Sequence, residues 1–186
     1  TLALLTLSLL TCLSKTTIHA KEPQKDLLIR VLLEEISTTK PQKLVISSKN
    51  GFILESPMGC GQKFSTKRTS IPLIIKNSSM FIQCSDGIFK RIKHDDLAIS
   101  PRDGVSHIDQ KSYQGTLDLR LNKESKTLQL INKLYLDDYL YSVLLNECLS
   151  YWPIQMQMVQ AVASRTYAIY QIQQTRQQKN AKEIYY

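Results

Sequence analysis

Two charged residues, Glu147 and Arg165, stand in otherwise apolar surroundings and are the first candidates for chemistry in this chain. Glu147 follows the leucine-rich run "LYSVLLN" and precedes Trp152-Pro153, and Arg165 lies further along in "VASRTYAIY". A carboxyl group in an apolar setting keeps its proton near neutral pH and can act as a general acid. The other interpretation is a structural ion pair that only fixes the packing of helices. The local pattern leaves both interpretations open.

Two helices are predicted to position these residues. The first covers "LDDYLYSVLLNE", with acids in the first turn, where the helix dipole favours them, and with one apolar stripe: Leu136, Leu140, Val143 and Leu144. Pro153 opens the second, which runs to about Gln174. Its predicted buried stripe contains Arg165 among apolar residues: Ile154, Met158, Val162, Ile169 and Ile172. A buried arginine needs an acceptor because its unpaired desolvation is costly, and Glu147 is the nearest acid in sequence.

Short β-strands are predicted before the helices. Apolar runs such as "KLVISS", "IPLIIKN" and "MFIQCS" are separated by turn residues such as Asn50-Gly51 and Asp86-Gly87. The segment "YQGTLDLRLNKESKTLQLIN" alternates apolar and polar residues on both sides of "NKES", which predicts a hairpin. The predicted fold class is α+β, with a β-rich N-terminal region of short antiparallel strands followed by two packed helices.

Residues 1–20, "TLALLTLSLLTCLSKTTIHA", have the pattern of a secretory signal peptide that lacks its positively charged N-terminal region. Its predicted cleavage position is Ala20. The apolar core is too short for a transmembrane helix, which needs roughly 20 apolar residues. The alternatives are a buried N-terminal helix and a lipoprotein box ending at Cys12. We therefore predict export to the cell envelope or periplasm, with a membrane anchor only if Cys12 is lipidated. We also expect the sequence to be a fragment whose domain is truncated at the C-terminus.

The formal net charge of +8 suits an anionic partner. Removal of residues 1–20 would take away only Lys15, which leaves 23 basic and 16 acidic residues. For an exported protein this favours cell wall or a membrane surface over nucleic acid, although the charge could also serve solubility alone. The cysteines beyond Cys12 lack CxxC spacing, so no metal site is predicted, while a Cys60–Cys84 disulfide remains conceivable.

The region from 110 to 170 resembles the stage II sporulation protein D (SpoIID/LytB) family. That family reads approximately Y-x-G-x-L…N-x-L-x-L-E-D-Y-L-x-G-V-x-x-x-E-M…W-P-x-E-A-L-K-A-Q-A-V-A-A-R-T-Y. The matching positions here include Tyr113, Gly115, Asn132, Leu134, Asp138, Tyr139, Leu140, Val143, Glu147, Pro153, Gln160, Ala161, Val162, Ala163, Arg165, Thr166 and Tyr167. The resemblance implies one SpoIID/LytB-like domain, in its N-terminal part, over residues 25–186.

The resemblance also implies a function in peptidoglycan remodelling. The best-understood members are lytic transglycosylases, which cleave glycan strands and leave 1,6-anhydro-muramyl ends. By this resemblance Glu147 is the catalytic acid/base, and Arg165, Tyr139 and Gln160 are substrate-binding residues. Other members are amidase enhancers, so the alternative is a non-catalytic peptidoglycan-binding module that stimulates a cell-wall amidase. No cofactor is visible in the chain, and zinc would enter only through a second half of the domain.

Five departures from the family pattern bear on this reading: Asp137 for Glu, Ser142 for Gly, Cys148 for Met, Gln155 for Glu and Met158 for Lys. Met158 matters most because the family Lys would share a helix face with Arg165. Its replacement favours the binding module over the enzyme.

One carboxyl is sufficient for transglycosylase chemistry because the nucleophile, the muramyl 6-hydroxyl, belongs to the substrate. A tight contact with Arg165 would favour the charged form of Glu147 and oppose its action as an acid. We therefore predict that Arg165 orients groove or substrate and forms no bidentate pair with Glu147. Asp137 and Asp138 are poor second carboxylates because they are rotated from Glu147 by about 280° and 180° on one helix. They are predicted to be helix N-terminal acids.

Overall fold

The computed structural model describes residues 27–55, 63–84 and 86–177, within which twelve β-strands precede two α-helices. The strands are β1 (Leu28–Ser37), β2 (Gln42–Ser47), β3 (Phe52–Glu55), β4 (Lys63–Thr66), β5 (Ser70–Lys76), β6 (Ser79–Gln83), β7 (Phe89–Arg91), β8 (Asp96–Pro101), β9 (Val105–Ile108), β10 (Lys111–Gln114), β11 (Thr116–Asn122) and β12 (Thr127–Tyr135). The helices are α1 (Leu136–Glu147) and α2 (Ile154–Gln177). The predicted α+β class is confirmed. The predicted signal peptide, Cys12 and Cys60 lie outside the described residues.

The strands form two antiparallel six-stranded sheets. The first sheet has the order β1-β12-β11-β8-β3-β4, and the second has the order β10-β9-β2-β5-β6-β7. The predicted hairpin is confirmed as β11–β12, in which Leu117 faces Asn132 and Asn122 faces Thr127. The Asn122 side chain stabilises the turn because its Oδ1 accepts hydrogen bonds from the backbone N–H groups of Glu124 and Ser125.

One hydrophobic core lies between the two sheets. Alternate residues of β2, β5, β8 and β11 point toward it, as the strand period of two requires. Ile46 and Leu73 of the second sheet and Phe52, Ile99 and Leu119 of the first are at most 1% exposed. Full burial of each such side chain contributes about 1.5–3 kcal/mol. This core holds the sheets together without the helices.

A second, smaller core joins the helices to the end of the first sheet. Its buried members come from β1, β12, α1 and α2: Ile29, Leu134, Leu136, Leu140, Ala168 and Ile172. The chain passes from β12 into α1 without a loop, and the backbone N–H of Leu136 donates to the carbonyl of Leu27 at 2.8 Å. The start of α1 is therefore fixed by the sheet.

The stripe predicted to be buried along α2 is buried only in its C-terminal half. Ile172 is 3% exposed, whereas Ile154, Met158 and Val162 are each more than 60% exposed. The reason is geometric. The C-terminal half of α2 packs on Ile29 and Leu134 at the end of the first sheet, whereas the N-terminal half lies, among the described elements, beside α1 alone. No described helix has the length and apolarity needed to cross a membrane.

Candidate active site

Glu147 is the last residue of α1 and is exposed to solvent. It lies seven residues after Leu140 and three after Leu144, so all three share the side of α1 that faces α2. The helix ends at the next residue, where the backbone N–H of Cys148 donates to the carbonyl of Leu144 at 3.0 Å. Glu147 forms no ion pair within the part of the chain that the structure describes.

The acceptor for Arg165 is Asp137, in the first turn of α1. The guanidinium donates to the Asp137 carboxylate, and the two side chains are 38% and 51% exposed. Glu147, the acid nearest in sequence, is therefore not the partner. The helices run antiparallel, so Arg165 has returned to the start of α1, while Glu147 is at its end, about 15 Å away along the axis. The orienting role predicted for Arg165 in the active state stays a prediction.

The antiparallel alignment also locates the neighbours of Glu147. Asp137 is level with Arg165, and Leu144 shares a cleft with Ala161. Continuing this alignment places Glu147 level with the first turns of α2, around residues 155–158. Met158, which replaces the family Lys, therefore belongs to the same end of the helix pair as Glu147.

A cleft of about 260 Å³ between the helices, which we call the interhelical cleft, connects these positions. Its lining combines the ion pair with apolar and aromatic side chains: Asp137, Leu140, Tyr141, Leu144, Ala161, Val162 and Arg165. Tyr141 is 61% exposed, so its ring is available to a ligand. Glu147 follows Leu144 by about one turn and is not itself among the lining residues.

The other two predicted binding residues do not line the interhelical cleft. Tyr139 lies about 200° from Asp137 around α1 and contributes to a separate cleft of about 240 Å³. That cleft is formed by α1, α2 and β1 residues: Ile29, Tyr139, Tyr167, Ala168, Gln171, Ile172 and Thr175. Gln160 is half-buried and donates to the Ser164 hydroxyl at 3.5 Å, one turn along α2.

Sequence reasoning did not identify the partner of Arg165 or a cleft at the sheets. Asp137 was attributed only to the helix dipole, although an antiparallel helix pair could have indicated its contact with α2. A cleft of about 460 Å³ lies where the sheets meet the start of α1, and we call it the strand–helix cleft. Its residues come from distant parts of the sequence: Leu28, Asp103, Gly104, Val105, Gln114, Gly115, Thr116, Lys133, Leu134, Tyr135 and Asp138.

The C-terminal third of the chain matches a known protein family. The model of the SpoIID family, described as stage II sporulation protein, matches residues 124–185. The resemblance to SpoIID is confirmed for this segment. No curated protein and no solved structure matches the chain.

The SpoIID segment contains β12 and both helices, and therefore the predicted catalytic residue and all three predicted binding residues. Tyr113 and Gly115 of the wider resemblance lie before it. The match indicates that this protein is related to sporulation or to the cell wall. The strand-rich region before residue 124 lies outside the match.

Two acids of the strand region, Asp118 in β11 and Asp103 in the turn between β8 and β9, have shifted pKa values. Asp118 is 6% exposed, and burial raises its pKa, although the cations Lys133, Arg120 and Arg30 act in the opposite direction. The pKa of Asp103 is lowered, chiefly because the Ser48 hydroxyl donates to its carboxylate at 2.7 Å. Neither acid belongs to the SpoIID segment.

No group of three or more His, Cys, Asp and Glu side chains suited to a metal ion occurs in the described ranges. Cys84 and Cys148 are free thiols among the described residues, and the conceivable Cys60–Cys84 disulfide involves a residue outside them. Zinc bound through another half of the domain stays a prediction.

Proposed function

We propose that this protein is an exported peptidoglycan lytic transglycosylase in which Glu147 is the general acid/base. The observation that carries the proposal is the position of Glu147 in the SpoIID segment. It lies about one turn beyond Leu144 of the interhelical cleft and has no ion pair among the described residues. Because no cation among them pairs with the carboxyl, it is free to contact the glycosidic oxygen of a bound strand.

The proposed reaction needs only this carboxyl and the substrate. Glu147 donates its proton to the glycosidic oxygen as the bond from that oxygen to muramyl C1 breaks. The resulting carboxylate then takes the proton from the muramyl 6-hydroxyl as the O6–C1 bond forms. Atoms and charge balance without water, and Glu147 returns to its protonated state.

Arg165 has a different role in this proposal. Its pair with Asp137 keeps the guanidinium about 15 Å from Glu147 along α1, so the two side chains do not contact each other. A half-exposed guanidinium in the cleft suits hydrogen bonding to hydroxyl, amide or carboxylate oxygens of a glycan strand. Exposed Tyr141 beside it offers a ring face for a sugar.

A second candidate function is a non-catalytic module that binds peptidoglycan and stimulates a cell-wall amidase. Met158 favours it, because a methionine replaces the family Lys at the end of the helix pair where Glu147 lies. Both Glu147 and Met158 are exposed, so this end is open enough for a partner protein.

The deciding experiment uses the full-length protein on purified glycan strands, with and without stem peptides. Products are analysed by mass spectrometry for 1,6-anhydro-muramyl ends. The wild type should release them, and Glu147→Gln should reduce release by about 10²–10⁴-fold, the usual contribution of general acid–base catalysis. Glu124→Gln is the matched control, because Glu124 is an exposed acid in the β11–β12 turn. Thermal melting checks that both variants fold.

The outcomes separate the two functions. If the wild type releases no anhydro products from either substrate, the enzyme proposal is wrong. If wild type and Glu147→Gln both increase the rate of an added amidase to the same extent, the binding module is supported. The binding module is excluded if Glu147→Gln still binds glycan but loses a cell-wall effect seen without any amidase.

A further inference from the structure

The second sheet differs from the first in its charge. Its six strands contain neither Asp nor Glu but five Lys and Arg residues: Lys43, Lys76, Lys90, Arg91 and Lys111. The strands of the first sheet contain four basic and five acidic residues. Within the strands, the excess of positive charge therefore belongs to the second sheet.

Three of these cations lie on the side of the second sheet that points away from the hydrophobic core. Lys76 follows the buried Ile75 of β5 and therefore points outward. On the same side, paired residues form a row across four strands: Lys43, Ile74, Phe81 and Arg91. The three cations are exposed to solvent. We call this surface, made of Lys43, Val45, Ile74, Lys76, Phe81 and Arg91, the outer face.

The positive charge of the outer face is spread over the sheet and is not neutralised by acids of the described residues. Lys43, Lys76 and Arg91 form no ion pair within the described ranges. Lys76 lies over the ring of Phe81, with 5.2 Å between its Nζ and the ring centroid, which holds its charge near the row. Because neighbouring strands lie about 4.8 Å apart, Lys43 and Arg91 are separated by about 14 Å. Charges distributed in this way attract an extended anionic surface.

Apolar side chains lie between the cations. Val45 is 37% exposed, and Ile74 and Phe81 are half-buried. The methylene stems of Lys and Arg also contact apolar surroundings while their charged ends stay at a polar boundary. The surface of an anionic bilayer offers phosphate groups and, just below them, acyl chains. The outer face therefore combines the two kinds of group that such a surface contacts.

We propose that the outer face docks the protein on an anionic phospholipid membrane, with Lys43, Lys76 and Arg91 on lipid phosphates. A soluble anionic polymer is the less suitable partner, because it offers nothing apolar to Val45. The second sheet lies wholly before residue 124, so this surface is outside the SpoIID segment. The helices pack on the end of the first sheet, so Glu147 is not part of the docked surface.

The test measures co-sedimentation of the full-length protein with vesicles made of equal parts of phosphatidylglycerol and phosphatidylcholine. All variants carry Cys12→Ser, which excludes a lipid anchor at that residue. Val45→Glu should weaken binding by about tenfold or more, because one charge near an anionic surface changes binding about fivefold and an apolar contact is lost as well. Ile53→Glu is the matched control, since Ile53 is 38% exposed on the outward side of the first sheet. It adds the same charge and should bind within about twofold of wild type, as expected for a distant surface charge.

A second variant removes cations and leaves the apolar residues in place. The double variant Lys43→Gln/Arg91→Gln should weaken binding by about 25-fold, which is about fivefold for each cation. Thermal melting checks that all variants fold. On vesicles of phosphatidylcholine alone, the difference between Val45→Glu and Ile53→Glu should disappear, because no anionic lipid is present.

Three outcomes would overturn the proposal. In the first, wild type does not bind the anionic vesicles. In the second, Val45→Glu binds them as well as Ile53→Glu does, or the difference between these variants is unchanged on phosphatidylcholine alone. In the third, inorganic polyphosphate binds the wild type and the anionic vesicles do not compete with it, which would identify a soluble polymer as the partner.

Failure of this inference is distinguishable from failure of the proposed function. Vesicle binding is measured without turnover, and Glu147→Gln should bind the vesicles as wild type does. Release of anhydro products without vesicle binding would refute the docking surface alone. Vesicle binding without release would refute the enzyme proposal alone.

Discussion

The ion pair between Arg165 and Asp137 can be tested as a structural element by a double-mutant cycle. The variants are Arg165→Gln, Asp137→Asn and the double variant, and the quantity is the coupling term in the free energy of unfolding. The side chains are 38% and 51% exposed, so water screens the pair. Exposed pairs contribute about 0.2–1 kcal/mol, and we expect a coupling of about 0.5 kcal/mol. Loss of the interaction between Asp137 and the dipole of α1 cancels in the cycle.

Urea unfolding followed by circular dichroism measures this coupling. With a slope of about 2 kcal/mol per molar urea, 0.5 kcal/mol corresponds to about 0.25 M in the midpoint. The coupling should approach zero in 1 M NaCl, where the Debye length is about 3 Å. The matched control is the exposed pair Lys123–Asp95, with an N–O distance of 2.6 Å and exposures of 56% and 50%. It should give a coupling of the same size.

The catalytic assay completes this prediction. If Arg165 orients the substrate, Arg165→Gln should lower product release far more than Asp137→Asn, which leaves the guanidinium in the cleft. A coupling above about 2 kcal/mol that persists in 1 M NaCl would refute the reasoning, because it would identify a buried structural lock. Equal losses of activity in the two single variants would refute it as well, because the pair would then act as one unit.

Two further predictions concern the β-sheet region. Gly115→Ala should lower the free energy of unfolding by about 2–4 kcal/mol, because the new Cβ would meet the carbonyl of Lys133 at 2.4 Å with φ at +86°. Gly104→Ala has a similar φ of +79° but open space around the Cβ, so urea unfolding should show a loss of only about 1 kcal/mol, and equal losses would contradict the steric argument. Burial raises the folded-state pKa of Asp118 above the unfolded value of about 3.9. Its contribution to the free energy of unfolding is therefore fully present below the unfolded pKa and is lost as pH rises through the folded pKa. The free energy of unfolding of Asp118→Asn minus that of wild type should therefore increase between about pH 3 and pH 7. A difference that stays constant with pH would contradict the claim that burial raises the pKa of Asp118.

The local elements were predictable because they depend on short-range patterns. The alternation on both sides of "NKES" predicts the β11–β12 hairpin, and the structure has it. The stripe through Leu136 and Leu140 predicts α1, whose two buried residues are these. In both cases the apolar residues that repeat at the period of the element are those that are buried on folding.

The stripe on α2 was predicted less well because periodicity does not tell how much of a face has a partner. Ile154, Met158 and Val162 continue the period of Ile172, yet they are exposed because only the C-terminal half of α2 packs on the first sheet. The ion-pair partner of Arg165 also could not be predicted from the order of residues in the sequence. Proximity in sequence pointed to Glu147, whereas the antiparallel return of the chain brings Asp137 next to the guanidinium.

By itself the sequence determined the element types, the α+β class, the resemblance to SpoIID and the choice of Glu147 as the candidate acid. These follow from residue types at fixed spacings, which the chain carries before it folds. Only the tertiary structure decided that Arg165 pairs with Asp137, and that Tyr139 belongs to another cleft. It alone decided that Lys133, Asp103 and Asp138 meet around one cavity. The physical reason is that these contacts depend on strand order and helix direction, which bring together residues that no local pattern relates.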